Sequence, residues 1–328
     1  MLEAPVAYVT ERQLEELLPY REAVDALAAG FADDRAASPP RIPIAVPNGE
    51  LLLMPAHGSE GVGVKLVTVN KLNPAAGRPL VQGMYVLFSA DGLSPELIID
   101  GAALTARRTA AVSALATDRL ANRDARRLVV FGAGRQARAH VEAMRAVRPI
   151  ETVGIVGRNP DRAQELVDRL QDEGLETAVV TAAAVGSADV ICTCTTSEAP
   201  LFDDQLVATG AHINAIGAYR PDMRELPAET LARALVAVES EEAALTEAGD
   251  IIQAIAEGAS GAGHFAADLG DLAAGRVTRT HPDQLTVFKS VGIATEDLVL
   301  ARAISQRMRS GAPSSSAAGV RPAQDARV

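Results

Sequence analysis

The stretch Leu128 to Met144, which reads Leu-Val-Val-Phe-Gly-Ala-Gly-Arg-Gln-Ala-Arg-Ala-His-Val-Glu-Ala-Met, limits the possible folds more than any other part of this chain. Four apolar residues lead into Gly132, and apolar positions then recur at Ala137, Val141 and Met144. The hydrophobic period therefore changes from strand to helix across the glycines. Gly132-x-Gly134-x-x-Ala137 is the spacing of a dinucleotide-binding turn with alanine in its third slot. Gly132 permits the turn, Gly134 lets the backbone approach a pyrophosphate, and Ala137 lets the helix pack closely on the strand. Free amides and the helix dipole would then face the phosphates. A tight turn in an unrelated α/β fold is the plain alternative, and the flanking strand and amphipathic helix weigh against it.

The next segments repeat the alternation. Thr152 to Val156 reads as a second strand, and Asn159-Pro160 supplies an N-cap and a first helical residue. Ala163, Leu166, Val167 and Leu170 share one helical face, and Gly174 ends the helix. Where an NAD enzyme places an acidic residue against the adenosine ribose, this chain has Gly157-Arg158-Asn159. A guanidinium there suits a 2′-phosphate, so NADP(H) is preferred as cofactor and NAD(H) is possible. A solvated loop cation is the alternative for Arg158. Ala188 to Thr195, Ala211 to Ala218 and Leu235 to Glu239 read as further strands of a largely parallel sheet. Polar groups at or near their carboxyl ends, Thr195, Thr196, Asn214 and the run Tyr219-Arg220-Pro221-Asp222, stand where such sheets bind ligands.

The residues before the turn differ in character. Thr10 and Gln13 form a capping-box signature ahead of Leu14, Leu17 and Leu18, and a second helix carries Val24, Leu27, Ala28 and Phe31. Both helices are expected to cover a sheet. The sheet would comprise short segments at Arg41 to Ile44, Leu51 to Met54, Gly63 to Asn70 and Gly83 to Ser89. Arg41 and Lys65 lie beside or within these apolar segments. If buried they need anionic partners; otherwise they are solvent-facing strand residues. Residues 104 to 121 form a small-residue-rich helix with Arg107 and Arg108 near its start, and a domain boundary falls near Asn122 to Arg126. A last helix ends near Met308, and residues 309–328 read as a disordered tail.

Composition removes several function classes. With Lys+Arg at 31 and Asp+Glu at 42, the net charge of −11 argues against a nucleic-acid partner or an anionic membrane surface. No apolar run is long enough to span a bilayer and the start lacks a signal-peptide pattern, so the expected location is cytoplasmic. Cys192 and Cys194, the only cysteines, have no second Cys/His pair nearby, so no metal site is expected and both read as buried structural thiols.

Taken together, these motifs resemble the ornithine cyclodeaminase/mu-crystallin family. The resemblance rests on Pro40-Arg41, Val64-Lys65-Leu66-Val67, Arg108-Thr109-Ala110-Ala111, Gly132-Ala-Gly-x-Gln136-Ala137 and Gly210 to Ala218. It continues through Arg220-Pro-Asp-Met-Arg-Glu-Leu226, Glu242 to Leu245, Gly249-Asp250 and Thr286-Val-Phe-Lys-Ser-Val-Gly292. It implies an α/β protein with a Rossmann dinucleotide-binding domain (123–292) and an α+β substrate-binding and dimerisation domain (1–122, completed by the helix at about 293–308). A homodimer with the active site between the domains is also implied. Arg41, Lys65 and Arg108 map onto the family's carboxylate-binding cations. Gly134, Arg135, Gln136, Arg158, Thr195, Ile216 and Ser290 map onto its dinucleotide contacts, beside Gly132, Ala137, Asn214 and Arg108. Met54, Gln82 and Met84 are candidate pocket residues.

One departure separates activities within that family. The cyclodeaminases follow the Asn-Ala-Val-Gly-Gly strand with a catalytic Asp; here that position is Tyr219, and the nearest carboxylate is Asp222. This pattern resembles the mu-crystallin-like ketimine reductases. The expected activity is NAD(P)H-dependent reduction of an imine α to a carboxylate, of the Δ1-pyrroline-2-carboxylate or Δ1-piperideine-2-carboxylate type, with Lys65 or Asp222 as proton partner. The alternatives are an ornithine or lysine cyclodeaminase with bound NAD, and a dinucleotide-gated binding protein of mu-crystallin type.

Overall fold

A computed structural model describes residues 6–32, 38–59 and 61–311. Two sheets are joined through one long helix. The first contains β1 (Ala7–Val9), β2 (Ile42–Val46), β3 (Gly49–Gly58), β4 (Gly61–Val69), β5 (Val81–Phe88) and β6 (Pro95–Asp100). They lie in the order β1-β6-β5-β4-β3-β2, antiparallel except for the β1–β6 pair. Helices α1 (Glu11–Leu17) and α2 (Tyr20–Ala32) follow β1. Thr10 closes the capping box on α1, as its spacing to Gln13 predicts. α3 (Gly101–Leu120) starts directly after β6, where Asp100 Oδ1 accepts from the amides of Ala102 at 3.0 Å and Ala103 at 2.9 Å.

The second sheet is wholly parallel, built from β7 (Arg127–Phe131), β8 (Thr152–Val156), β9 (Glu176–Val179), β10 (Val190–Thr193), β11 (His212–Ala215), β12 (Leu235–Val238) and β13 (Thr286–Lys289). α4 (Arg135–Val147), α5 (Pro160–Asp172), α6 (Ala228–Arg233), α7 (Glu241–Glu247), α8 (Gly249–Ala256), α9 (Leu269–Ala273) and α10 (Ala294–Ser310) complete the chain. The strand order is β12-β13-β11-β10-β7-β8-β9. The chain runs outward from β7 through β8 to β9 and then returns to β10 on the other side of β7. A crevice therefore opens above the carboxyl ends of β7 and β10, the place where doubly wound sheets bind ligands. This is a Rossmann sheet attached to an α+β unit, as the sequence predicts.

Three differences from the sequence reading have physical causes. α1 and α2 do not lie on the first sheet: α2 packs against α3, α4, α9 and α10, while α3 and α10 cover β3 to β5. Those two helices present alanine-rich or apolar faces, including Ala103, Ala110, Leu298 and Ala301, and so approach the strands closely. β1 and β6 lack sequence signals because one has three residues and the other runs into α3 without a turn. α10 continues to Ser310, beyond Met308, and most of the tail proposed for residues 309–328 lies outside the described residues.

Candidate active site

The turn after β7 has the geometry its glycines require. Gly132 has φ +112°, and a Cβ there would lie 2.6 Å from the Cys194 carbonyl oxygen, so conformation and space both require glycine. Gly134 caps α4, and a Cβ on it would meet nothing within 4 Å. The space in front of the helix start is therefore open, and Ala137 is buried behind it. Gln136 directs Nε2 at the Thr105 carbonyl, 3.5 Å away, and its buried Oε1 has no partner. Arg135 is half exposed and pairs with Glu11 at 2.8 Å. Arg158 stands exposed just past β8 and makes no ion pair among the described residues. An open cradle, a free polar atom and an unpaired cation beyond the second strand fit a nicotinamide dinucleotide.

Past the ends of β10, β11 and β13, a buried carboxylate holds the backbone in place. Glu225 accepts from Thr193 Oγ1 at 2.8 Å and, at 2.7 Å each, from Thr195 N, Thr195 Oγ1 and Gly217 N. Burial pushes its carboxyl above the usual range, against the pull of Lys289. Lys289 Nζ lies 3.0 Å from Asp250 and donates to the Ala215 carbonyl at 3.2 Å. Asp250 in turn receives the amides of Glu225 and Leu226 at 2.6 and 2.8 Å. Thr195 and Ile216 are thereby fixed at the crevice.

Asn214 is a correction. Its side chain points away from the crevice into the core, donating to Thr117 Oγ1 at 2.9 Å while His212 Nε2 lies 3.2 Å from its Oδ1. Both polar ends are engaged within the protein, so they are not free for a ligand. The strand period puts alternate residues on opposite faces, and the sequence alone did not say which face of β11 meets α3.

On the first sheet, Met54, Lys65 and Tyr85 stand side by side in register across β3, β4 and β5 on the covered face. Lys65 is 1% exposed, and its Nζ sits 2.8 Å from Asp297 Oδ2. Burial and the nearby Arg108 lower its pKa to about 8, although Asp297 opposes this. Arg108 donates from Nη1 to Glu296 at 2.9 Å, has Nε 3.7 Å from Asp297, and that Nε has no hydrogen-bond acceptor. Burial and the neighbouring Glu239 raise the Glu296 carboxyl well above its usual range. Gly292, with φ +83°, lies against the Arg108 guanidinium: a Cβ there would come within 2.2 Å of Nη1. Glu239 holds this loop, accepting from Ser290 Oγ and from the amides of Val291 at 3.0 Å and Gly292 at 2.6 Å.

Arg41 bridges the two sheets, donating to the carbonyls of Val291 at 3.0 Å and Gly292 at 2.8 Å and pairing with Glu247 at 2.7 Å. A cavity of about 300 Å³ opens beside Arg41 and Met54. The structure thus brings Arg41, Lys65, Arg108, Met54 and Ser290 to one place. Both cations of the first sheet are buried or half-buried and paired, so the solvent-facing alternative falls.

Three further candidates lie elsewhere. Met84, next to Tyr85 on β5, is exposed on the face opposite Lys65. Gln82 pairs with Thr68 across the opposite, exposed face of the sheet, three residues from Tyr85 and so out of phase with Lys65. Asp222 is exposed and bound to Arg220 at 2.9 Å, which holds its carboxyl below the usual range. Tyr219 packs against the core of the second sheet and lies within electrostatic reach of Arg41 and Glu50.

The residues that sequence reasoning missed are the acidic partners Glu239, Glu247, Glu296 and Asp297 and the bracing set Glu225, Asp250 and Lys289. The rule that a buried cation needs an anion called for Asp297 and Glu296 without locating them. Among the described residues no cluster suits a metal ion, and Cys192 is buried with its thiol pushed up to about 12 by burial.

Comparison with known proteins agrees with this arrangement. A Bacillus cereus protein named Delta(1)-pyrroline-2-carboxylate reductase is 37% identical over 286 residues, 84% of this chain and 88% of its own length. The mouse ketimine reductase mu-crystallin is 36% identical over 299 residues, 90% of this chain and 93% of its own. The Thermococcus litoralis Delta(1)-pyrroline-2-carboxylate reductase, solved with NADH and L-proline, superposes with a TM-score of 0.88 at 31% identity, over 94% of this chain and 99% of that one. Residues 5–312 match the family profile itself, and the chain belongs to the ornithine cyclodeaminase/mu-crystallin family.

Proposed function

We propose that this chain is an oxidoreductase that uses a nicotinamide dinucleotide to reduce a C=N bond α to a carboxylate, with Δ1-pyrroline-2-carboxylate and Δ1-piperideine-2-carboxylate as substrates. The observation that carries the reading is the pair of buried cations Lys65 and Arg108 beside Asp297, with Tyr219 where a cyclodeaminase has its Asp. The named activities of the relatives support it.

The Arg108 Nε, a buried donor without an acceptor, takes one carboxylate oxygen of the substrate. Arg41, tied to Gly292 and Glu247, closes the other side. Fixing the carboxylate on the covered face of the first sheet directs the imine carbon toward the crevice above β7 and β10. A reduced dinucleotide held at the Gly132–Gly134 turn would supply the hydride to that carbon. The imine nitrogen must carry a proton for this step; Lys65, with its pKa near 8, provides one to the neutral imine or hydrogen-bonds the iminium formed in solution. Lys65 regains its proton from water, and Asp297 favours the resulting ammonium. Asp222, exposed and held ionised by Arg220, is poorly suited to this role.

Arg158 makes NADPH the preferred cofactor, because an exposed guanidinium without an ion pair among the described residues is available to a 2′-phosphate. Arg158→Ser is expected to lower kcat/KM for NADPH about tenfold or more while leaving NADH use unchanged. The assembly is a homodimer. Leu53, Leu66, Met84, Val64 and Val86 form a half-exposed apolar face on the first sheet opposite α3 and α10, and Ile42, at 52% exposure, extends it. Residues 1–122 with α10 form the substrate and dimer unit, and 123–292 the dinucleotide unit.

The direct test is oxidation of NADPH and NADH with each imine, alongside ammonia release from ornithine and lysine. Cofactor oxidation with an imine supports the reading. Ammonia release without net cofactor change overturns it in favour of cyclodeamination.

A further inference from the structure

α3 carries two adjacent arginines that face different ways. Arg108 belongs to the site above. Arg107 is 6% exposed, its guanidinium carbon lies 4.0 Å from the centroid of the Tyr20 ring, and it makes no hydrogen bond or ion pair with any described residue. Its guanidinium rests on an aromatic face, reaches the surface of a groove and has no ion-pair partner among the described residues. It lines a groove of about 690 Å³ between α1, the start of α2, α3 and α4.

The other charges in that groove sort into satisfied and unsatisfied. Arg12 pairs with Glu16 at 2.7 Å, Arg135 with Glu11 at 2.8 Å and Arg138 with Glu142 at 2.9 Å, so these cancel. Among the described residues neither Glu15 nor Asp100 makes an ion pair; Asp100 uses one carboxylate oxygen to cap α3, and Glu15 lies within electrostatic reach of Arg138. Leu14, Tyr20, Ala103, Ala106 and Ala139 supply apolar wall. Among the described residues the groove therefore offers one guanidinium and two carboxylates without a salt bridge, beside apolar surface. An inorganic anion would satisfy Arg107 but face the two carboxylates; a zwitterion satisfies both signs.

We infer that this groove is a second binding site, for a small α-amino acid, with the carboxylate on Arg107 and the ammonium on Asp100 and Glu15. It is separate from the Lys65 site, since no residue is shared, and its existence does not depend on the reductase reading. Arg135, the residue after Gly134, forms part of its wall, so the site adjoins the dinucleotide turn.

The experiment is calorimetric titration of the dinucleotide-loaded protein with L-proline, and in parallel with L-alanine, using wild type, Arg107→Gln, Arg107→Lys and Lys65→Met. The expected result is an amino-acid site that Arg107→Gln weakens about tenfold or more and that survives Lys65→Met. Arg107→Lys keeps the charge over Tyr20 but not the planar fork, so it should fold as wild type and bind more weakly. Steady-state constants for imine reduction, measured without added amino acid, should be unchanged in Arg107→Gln. Amino-acid binding removed only by Lys65→Met, or binding equal in wild type and Arg107→Gln, overturns the inference. Arg107-dependent binding in a protein that reduces no imine upholds it while refuting the reductase reading.

Discussion

Replacing Asp297 by Asn keeps the side-chain shape and removes the charge that holds Lys65 protonated. In the wild-type site burial and Arg108 lower Lys65 to about 8, and Asp297 is the main opposing influence. Two charges about 4 Å apart at an effective dielectric near 20 attract by about 4 kcal/mol. At 1.36 kcal/mol per unit this is up to about three pKa units, and relaxation with entry of water reduces it to about one or two. Lys65 is a base whose pKa lies below its ordinary value, so its ammonium is present below about pH 8 and lost above it. Activity that needs the ammonium should fall on the alkaline side of about pH 8 in wild type and of about pH 6 to 7 in Asp297→Asn. The assay is kcat/KM for the imine against pH, with unfolding followed in parallel, because removing one partner of a buried pair costs about 3–5 kcal/mol. Ionisation of the imine itself also produces an alkaline limb, but that limb does not move with a mutation. A folded Asp297→Asn enzyme with an undisplaced limb would refute the proton role given to Lys65.

Three more outcomes follow from other parts of the structure. Gly134→Ala should leave stability within about 0.5 kcal/mol, since its φ of −98° suits any residue and a Cβ meets nothing; it should raise the dinucleotide KM about tenfold or more by filling the cradle, as initial rates would show. Met84→Glu, on the exposed face of β5 at 44% exposure, should shift sedimentation from dimer to monomer, and an unchanged dimer would remove that face from the interface. His140 is buried between the Gln136 carbonyl and Ser113 Oγ, and burial lowers its pKa to about 4. The folded state then binds fewer protons than the unfolded one, so its contribution, up to about 3 kcal/mol, is present above about pH 6.5 and lost as pH falls toward 4. Chemical denaturation across that window should show a shallower loss in His140→Gln, and equal slopes would contradict the assignment.

What the sequence made legible was whatever depends on local period and local chemistry. The turn from β7 to α4, the Asn159-Pro160 start of α5 and the Thr10–Gln13 cap are each set by residues within a few positions of one another, and each stands where expected. Cations in apolar strands announced the site, because a buried charge needs a partner wherever that partner comes from. The partners were hidden for the same reason. Asp297 is 232 residues from Lys65 and reads in sequence as one of two acids in the first turn of a helix, an ordinary dipole preference. Strand phase was the other gap. Gln82 and Asn214 have the right chemistry for ligands, but each points to a face decided by which helix covers the sheet, and that is settled only when the sheet is assembled.

The central claim is that a hydride passes to the imine carbon of a substrate held by its carboxylate. It is tested most directly by supplying reduced dinucleotide deuterated at the transferable position, with Δ1-pyrroline-2-carboxylate, and reading the product by mass spectrometry. The expected product is proline with a single deuterium at the α-carbon, formed in proportion to the cofactor oxidised. Product without label, or no product while ornithine releases ammonia, would contradict it.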